Sequence, residues 1–241
     1  GMSMIPRINW IDFEDFSVQF RPLTLEDISV ITYFLQSNEL LKSVRFQACK
    51  MSPEGASVLA SHLETSNTLE KLDLSWNPIE PLGISYLESM VSLSPSLLSL
   101  GCKLGPDGAV SLALVISKNT VLVQIAAAHN EFGYDGACSL SSALAVNSTL
   151  KHLDLRGNRF GVAGTEIVTK SLIRNHRHCI ETLNMSDNEI GGSCAAAMGS
   201  ILRSPSRIFR SYGLPSPQCM TTVRAAAECT RLKYRIHTPN E

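Results

Sequence analysis

The densest group of metal-binding residue types in this chain is His176-Arg177-His178-Cys179. A zinc centre needs three or four ligands converging as a tetrahedron, commonly from two separated pairs. No second pair accompanies these residues, so the segment reads as an ordinary loop and no metal is expected. Gly101-Cys102-Lys103-Leu104-Gly105-Pro106-Asp107-Gly108 is rich in glycine. It fits neither GxGxxG nor the phosphate loop GxxxxGK followed by Ser or Thr. Pro106 instead suits the first turn of a helix. Asp73 and Asp154 are too far apart in the repeat described below to act as a carboxylate pair. No Ser–His–Asp or Cys–His arrangement follows from spacing. The sequons at Asn147 and Asn184 read as chance matches. The residues therefore point away from catalysis, and no cofactor is expected.

Composition narrows the class further. The chain has 241 residues, of which 44% are hydrophobic and 18% charged, so it has the material for a packed core. A net charge of −1 argues against a general nucleic-acid binder, whose domain would be strongly basic. Charge is uneven, however. Six acids face two arginines in residues 1–39, while six arginines and Lys233 face two glutamates in residues 203–241. These ends read as solvated caps of opposite sign, the alternative being a basic landing patch near the C-terminus for an acidic partner. Seven cysteines without a CxxC pair suggest neither a disulfide framework nor a zinc ribbon, and a reducing, cytoplasmic setting is expected. The first residues lack the layout of a secretory signal. No run approaches the length of a membrane span, so no membrane partner is expected.

The elements that would position any site come from an internal repeat. LEKLDLSWNPI (69–79), LKHLDLRGNRF (150–160) and IETLNMSDNEI (180–190) share apolar residues at places 1, 4, 6 and 11 and asparagine at place 9. LVQIAAAHNEF (122–132) fits with Ala127 at place 6. LKSVRFQACKM (41–51) carries Cys49 at the asparagine place, and FEDFSVQFRPL (13–23) carries Arg21 there. Four residues beyond place 11 stands a glycine in five units, Gly55, Gly83, Gly108, Gly136 and Gly164, spaced by 28, 25, 28 and 28 residues. Apolar residues follow at helical spacing, such as Leu59 and Leu63 or Leu140 and Leu144. Two units, opened by Ser94-Pro95-Ser96 and Ser204-Pro205-Ser206, are short by three residues. The units run 13–40, 41–68, 69–96, 97–121, 122–149, 150–179, 180–206 and 207–235. Residues 1–12 form a flank, 13–241 one domain, and the last unit a degenerate cap.

Alternation at period 2 predicts a short strand with one buried face, and the 3.6 period predicts a covering helix. One such unit cannot bury its own apolar side, so units must stack into a parallel-stranded solenoid around one core. Under this α/β architecture the asparagines Asn77, Asn130, Asn158 and Asn188 are expected to form a buried ladder satisfying turn backbone. Cys49 and Cys102 are expected to fill the same place. The helix glycine is expected to admit close approach of helix and strand.

The unit LxxLxLxxNxLxxxGxxxLxxxL resembles the ribonuclease-inhibitor-like class of leucine-rich repeats over about residues 13–235. That resemblance implies a curved horseshoe with strands on the concave face and helices outside. It implies function only in outline, since such repeats serve inhibitors, GTPase activators, actin cappers and recognition domains. The chain is far poorer in cysteine than the ribonuclease inhibitor and lacks the acidic tail of the Ran activator.

Residues between the strand leucines must face outward. One column reads Ser17, Arg45, Asp73, Ala126, Asp154, Asn184. The next reads Gln19, Gln47, Ser75, Ala128, Arg156, Ser186, and the third Phe20, Ala48, Trp76, His129, Gly157, Asp187. Phe20 and Trp76 are the large aromatics of these columns, and exposed aromatics are usual binding anchors. The expected function is a non-catalytic protein-interaction module or scaffold. Its contacts are expected at Phe20, Arg45, Asp73, Trp76, His129, Asp154 and Arg156, with no small-molecule substrate. The alternative is a GTPase-activating protein of the Ran-activator type.

Overall fold

The computed structural model describes residues 13–64, 66, 68–93, 97–99, 104–175, 177, 179–189 and 191. The eighth unit, both Ser-Pro-Ser turns, Cys102, His176, His178, Cys194 and the basic C-terminal stretch lie outside these residues.

Strands and helices alternate through the described chain. They run β1 Asp15–Gln19, α1 Leu25–Leu35, β2 Ser43–Gln47, α2 Pro53–Leu63, β3 Lys71–Asp73 and α3 Glu80–Leu93. They continue as β4 Leu97–Ser99, α4 Gly105–Lys118, β5 Gln124–Ala126, α5 Gly133–Leu144, β6 His152–Asp154, α6 Gly161–Arg174 and β7 Thr182–Asn184. The strands form one parallel sheet in sequence order, β1 to β7. Register places Phe16, Val44, Leu72, Leu98, Ile125, Leu153 and Leu183 side by side. Those whose side chains are described are buried, as are Phe46, Leu74, Ala127, Leu155 and Met185 two places on. Each helix lays its stripe on this row, with Ile31 and Leu35, Leu59 and Leu63, Leu112 and Ile116, Leu140 and Leu144, and Val168 and Leu172 all buried. Helices about 10 Å wide stacked behind strands about 4.8 Å apart force the stack to bend, with the sheet inside.

Local chemistry starts each helix. Thr24 caps α1 reciprocally: its hydroxyl accepts from the Asp27 backbone at 3.1 Å, while its own N–H donates to the Asp27 carboxylate at 2.9 Å. Ser52 and Pro53 open α2. Helices α4, α5 and α6 start at glycines with φ of 65°, 64° and 66°, whereas Glu80 takes φ 58° at the start of α3.

The repeated helix glycine serves a contact different from the expected one. A Cβ on Gly136 would lie 2.8 Å from the Ala109 Cβ and 2.7 Å from the Phe132 Cβ. On Gly164 it would meet Ala137 and Phe160, both at 3.0 Å. The close approach is thus between neighbouring helices, each alanine after a glycine packing on the next unit's glycine. Strand backbone is not the neighbour that excludes a side chain.

A second asparagine row holds the helix exits together. Asn147 donates from Nδ2 to Ile116 O at 2.8 Å, and Asn175 donates to Leu144 O and Asn147 O, both at 2.7 Å. Their Oδ1 atoms accept from the following loop, Asn119 from Leu122 N at 2.6 Å and Asn147 from Leu150 N at 2.9 Å. Asn38, after α1, differs in its donor partner: it donates to Phe13 O ahead of β1 at 2.9 Å, while its Oδ1 accepts from Leu40 N at 2.9 Å. These amides close backbone groups that every helix C-terminus leaves open.

Candidate interaction surface

The outward column of the sheet is Ser17, Arg45, Asp73, Ala126, Asp154, Asn184, with the Ser99 backbone in register between Asp73 and Ala126. Its carboxylates and amide first serve the backbone. Oδ1 of Asp73 accepts from Ser75 N at 3.0 Å, Asp154 from Arg156 N at 3.0 Å, and Asn184 from Ser186 N at 3.1 Å. These are Asx turns that lead the chain out of each strand. Ion pairs tie the arginines of the outward columns to the next unit, Arg45 Nε to Asp73 Oδ2 at 3.2 Å and Arg156 Nε to Asp187 Oδ2 at 2.7 Å. Both arginines are therefore neutralised by the next repeat.

The third column belongs to the turn and not to the strand. Phe20, Ala48, Trp76, His129, Gly157 and Asp187 all have φ between 54° and 64°. The ladder nevertheless continues through them: Phe20 N donates to Gln47 O at 2.9 Å, Ala48 N to Ser75 O at 3.0 Å, and His129 N to Arg156 O at 2.8 Å. Phe20 is 74% exposed and Trp76 63%. They stand on the rim at the carboxyl ends of the strands. His129 is exposed too, its ring over Gly157, where an added Cβ would lie 2.4 Å from Nδ1.

Behind this rim lies the ladder of place 9. Asn77, Asn130, Asn158 and Asn188 are all buried. Oδ1 of Asn77 accepts from Cys49 N at 2.8 Å and Met51 N at 3.0 Å; that of Asn158 accepts from Asn130 N at 2.9 Å; that of Asn188 accepts from Asn158 N at 2.8 Å. Nδ2 of Asn158 donates to Ala127 O and Leu155 O, both at 2.9 Å, and Asn77 donates to Phe46 O in the same way. Cys49 stands in for the amide with a 3.3 Å contact from Sγ to Val18 O. Burial pushes its thiol pKa up.

A repeat profile described as Leucine Rich repeat matches residues 65–87, 146–166 and 176–199, windows that carry β3, β6 and β7. The chain folds as a leucine-rich-repeat solenoid. Comparison with curated proteins finds no match. Among solved structures, the leucine-rich repeats resemble "Leiomodin-1 Actin-Binding Site 2 (ABS2)", at 17% identity over 52% of this chain and 73% of that one, with a TM-score of 0.43. They also resemble a tropomodulin C-terminal domain from Caenorhabditis elegans, at 11% identity over 62% and 92%, with a TM-score of 0.49. At these identities the likeness concerns the fold alone.

Among the described residues the chemistry-bearing side chains do not converge. Asp73 and Asp154 sit three strands apart. Among the described residues no group of three His, Cys, Asp or Glu side chains is placed to hold a metal. His176 and His178 fall outside them, while Cys179 is exposed and contacts Arg177 O. The sequon amide of Asn147 is buried and bonded as described, so no glycan fits there in the folded chain. Among the described residues no helix is long and apolar enough to cross a membrane.

Proposed function

We propose that this repeat array is a non-catalytic interaction module that holds a protein partner against the sheet face and its aromatic rim. The observation that carries the reading is the exposure of Phe20 and Trp76 in the rim turns. Two large aromatics exposed at the same turn position of nearby units are suited to anchor a partner, and such residues dominate interface energies when covered. Arg45 and Asp73 supply oriented polar groups beside that apolar edge, and His129, Asp154 and Arg156 continue the polar face along β5 and β6. The setting we propose is the cytoplasm, where Cys49 remains the thiol that its contact with Val18 O requires.

Photo-reactive residues at Ser17 on the sheet and at Ser117 on the exposed helix side separate the possibilities. Crosslinking in the source cell, read by mass spectrometry, is expected to recover a common protein from Ser17 and not from Ser117. Recovery from Ser117 alone would place the interface on the helices. A purified chain that accelerates GTP hydrolysis by a small GTPase would replace the module with an activator.

A further inference from the structure

We propose that the rim carries a defined notch, walled by Phe20 and Trp76 and floored by Ala48, that clasps one aromatic side chain from an acidic segment of the partner. This rests on the interaction-module reading and adds what the partner must present.

The notch follows from the ladder. Phe20, Ala48 and Trp76 occupy the same turn position in three consecutive units and share one backbone conformation, with φ of 54°, 54° and 63°. Their Cα–Cβ bonds therefore leave the rim in parallel. The hydrogen bonds from Phe20 N to Gln47 O and from Ala48 N to Ser75 O keep the three turns in strand register. Two strand spacings put the aromatic walls about 10 Å apart at the backbone. A ring sandwiched between two others needs about 7–8 Å, two contacts of roughly 3.5–4 Å each. Each wall then has to lean inward by only about 1 Å. Among the described residues neither ring stacks on another. A methyl floor leaves the space between them open.

Charge selects the flanks of the guest. Arg45 is spent on Asp73 within the sheet. Lys50, exposed two residues beyond the floor at φ 56°, enters no ion pair among the described residues. On the sheet side, Gln47 offers a carboxamide beside the floor. An aromatic side chain next to a carboxylate matches this set, with its ring between the walls and its charge on Lys50.

The test uses dye-labelled capped tripeptides and fluorescence anisotropy with the whole chain. Acetyl-Glu-Phe-Glu-amide is expected to bind at least five-fold more tightly than acetyl-Glu-Ala-Glu-amide or acetyl-Lys-Phe-Lys-amide. Ala48→Leu, which puts a side chain of the same class as its neighbours at the same φ, should fill the notch and weaken binding at least ten-fold with an unchanged melting temperature. Lys50→Glu should reverse the preference between the acidic and basic peptides. Equal binding of the three peptides would overturn the notch, as would Ala48→Leu binding like the parent. If the notch fails while Ser17 still crosslinks a protein, the interaction module stands and only the clasp is lost; if both fail, the module falls with it.

Discussion

Each asparagine of place 9 is one side chain doing the work of several backbone partners. Asn158 accepts from the previous unit and donates both to that unit and to the end of its own strand. Asn158→Ala would strand a buried N–H at Asn130 and two carbonyls. It is expected to cost on the order of 1–3 kcal/mol, read as a lower thermal midpoint. An unchanged midpoint would mean that solvent reaches the turn. Glu80 illustrates the opposite case. It holds φ 58° where α4, α5 and α6 use glycine, and its side chain is exposed. A left-handed non-glycine residue costs about 1–2 kcal/mol, and glycine's extra chain freedom costs about 0.5–1 kcal/mol. Glu80→Gly should therefore raise stability by up to about 1 kcal/mol in denaturant melts, and a loss of stability would show that the glutamate makes a compensating contact.

Helices are seated by small residues, and this shows where sequence reading succeeds and where it stops. Periodicity exposed both the buried stripes and the glycine positions, because burial forces one residue type at one spacing. It did not say what the glycine faces, since strand and helix neighbours both exclude a Cβ. Gly136→Ala tests the helix contact: alanine favours a helix by about 1 kcal/mol, yet overlap with Ala109 and Phe132 should leave a net loss of about 1–3 kcal/mol in chemical unfolding. The end of each strand was equally hidden. Period-2 alternation from Gln19 and Ser75 would send Phe20 and Trp76 inward, whereas a left-handed backbone keeps both outside, a turn that alternation by itself does not announce. The helix-exit asparagines Asn119, Asn147 and Asn175 recur every 28 residues. They went unread because asparagine at a helix end is common for purely local reasons. Capping also makes α2 sensitive to pH. The Ser52 hydroxyl, 2.6 Å from Glu54, holds that carboxyl below its ordinary range. A depressed carboxyl pKa stabilises above the unfolded value and loses its effect as pH falls through the folded one. Glu54→Gln should thus lower the midpoint slightly at pH 7 and not at about pH 3, whereas an equal shift at both would remove charge from the explanation.

At the scale of the molecule, order is passed between neighbours only. Helices pack α1 on α2, α2 on α3 and so on to α6, and the sheet pairs each strand with the next in sequence. Both asparagine rows likewise join adjacent units. Stability in such an array is a sum of unit and interface contributions, and damage spreads along the stack with decreasing effect. Leu140 sits fully buried in α5, between α4 and α6. Leu140→Ala should remove about 2–5 kcal/mol locally. Amide exchange should then quicken most in β5, β6 and α5, less in α4 and α6, and least in β1 and β2. Phe20 and Trp76 stand toward the protected side of this gradient, four and two strands from β5 respectively. The variant should consequently keep the rim turns and any partner seated there while its C-terminal half loosens. Uniform acceleration from β1 to β7 would instead show that the described array unfolds as one cooperative block.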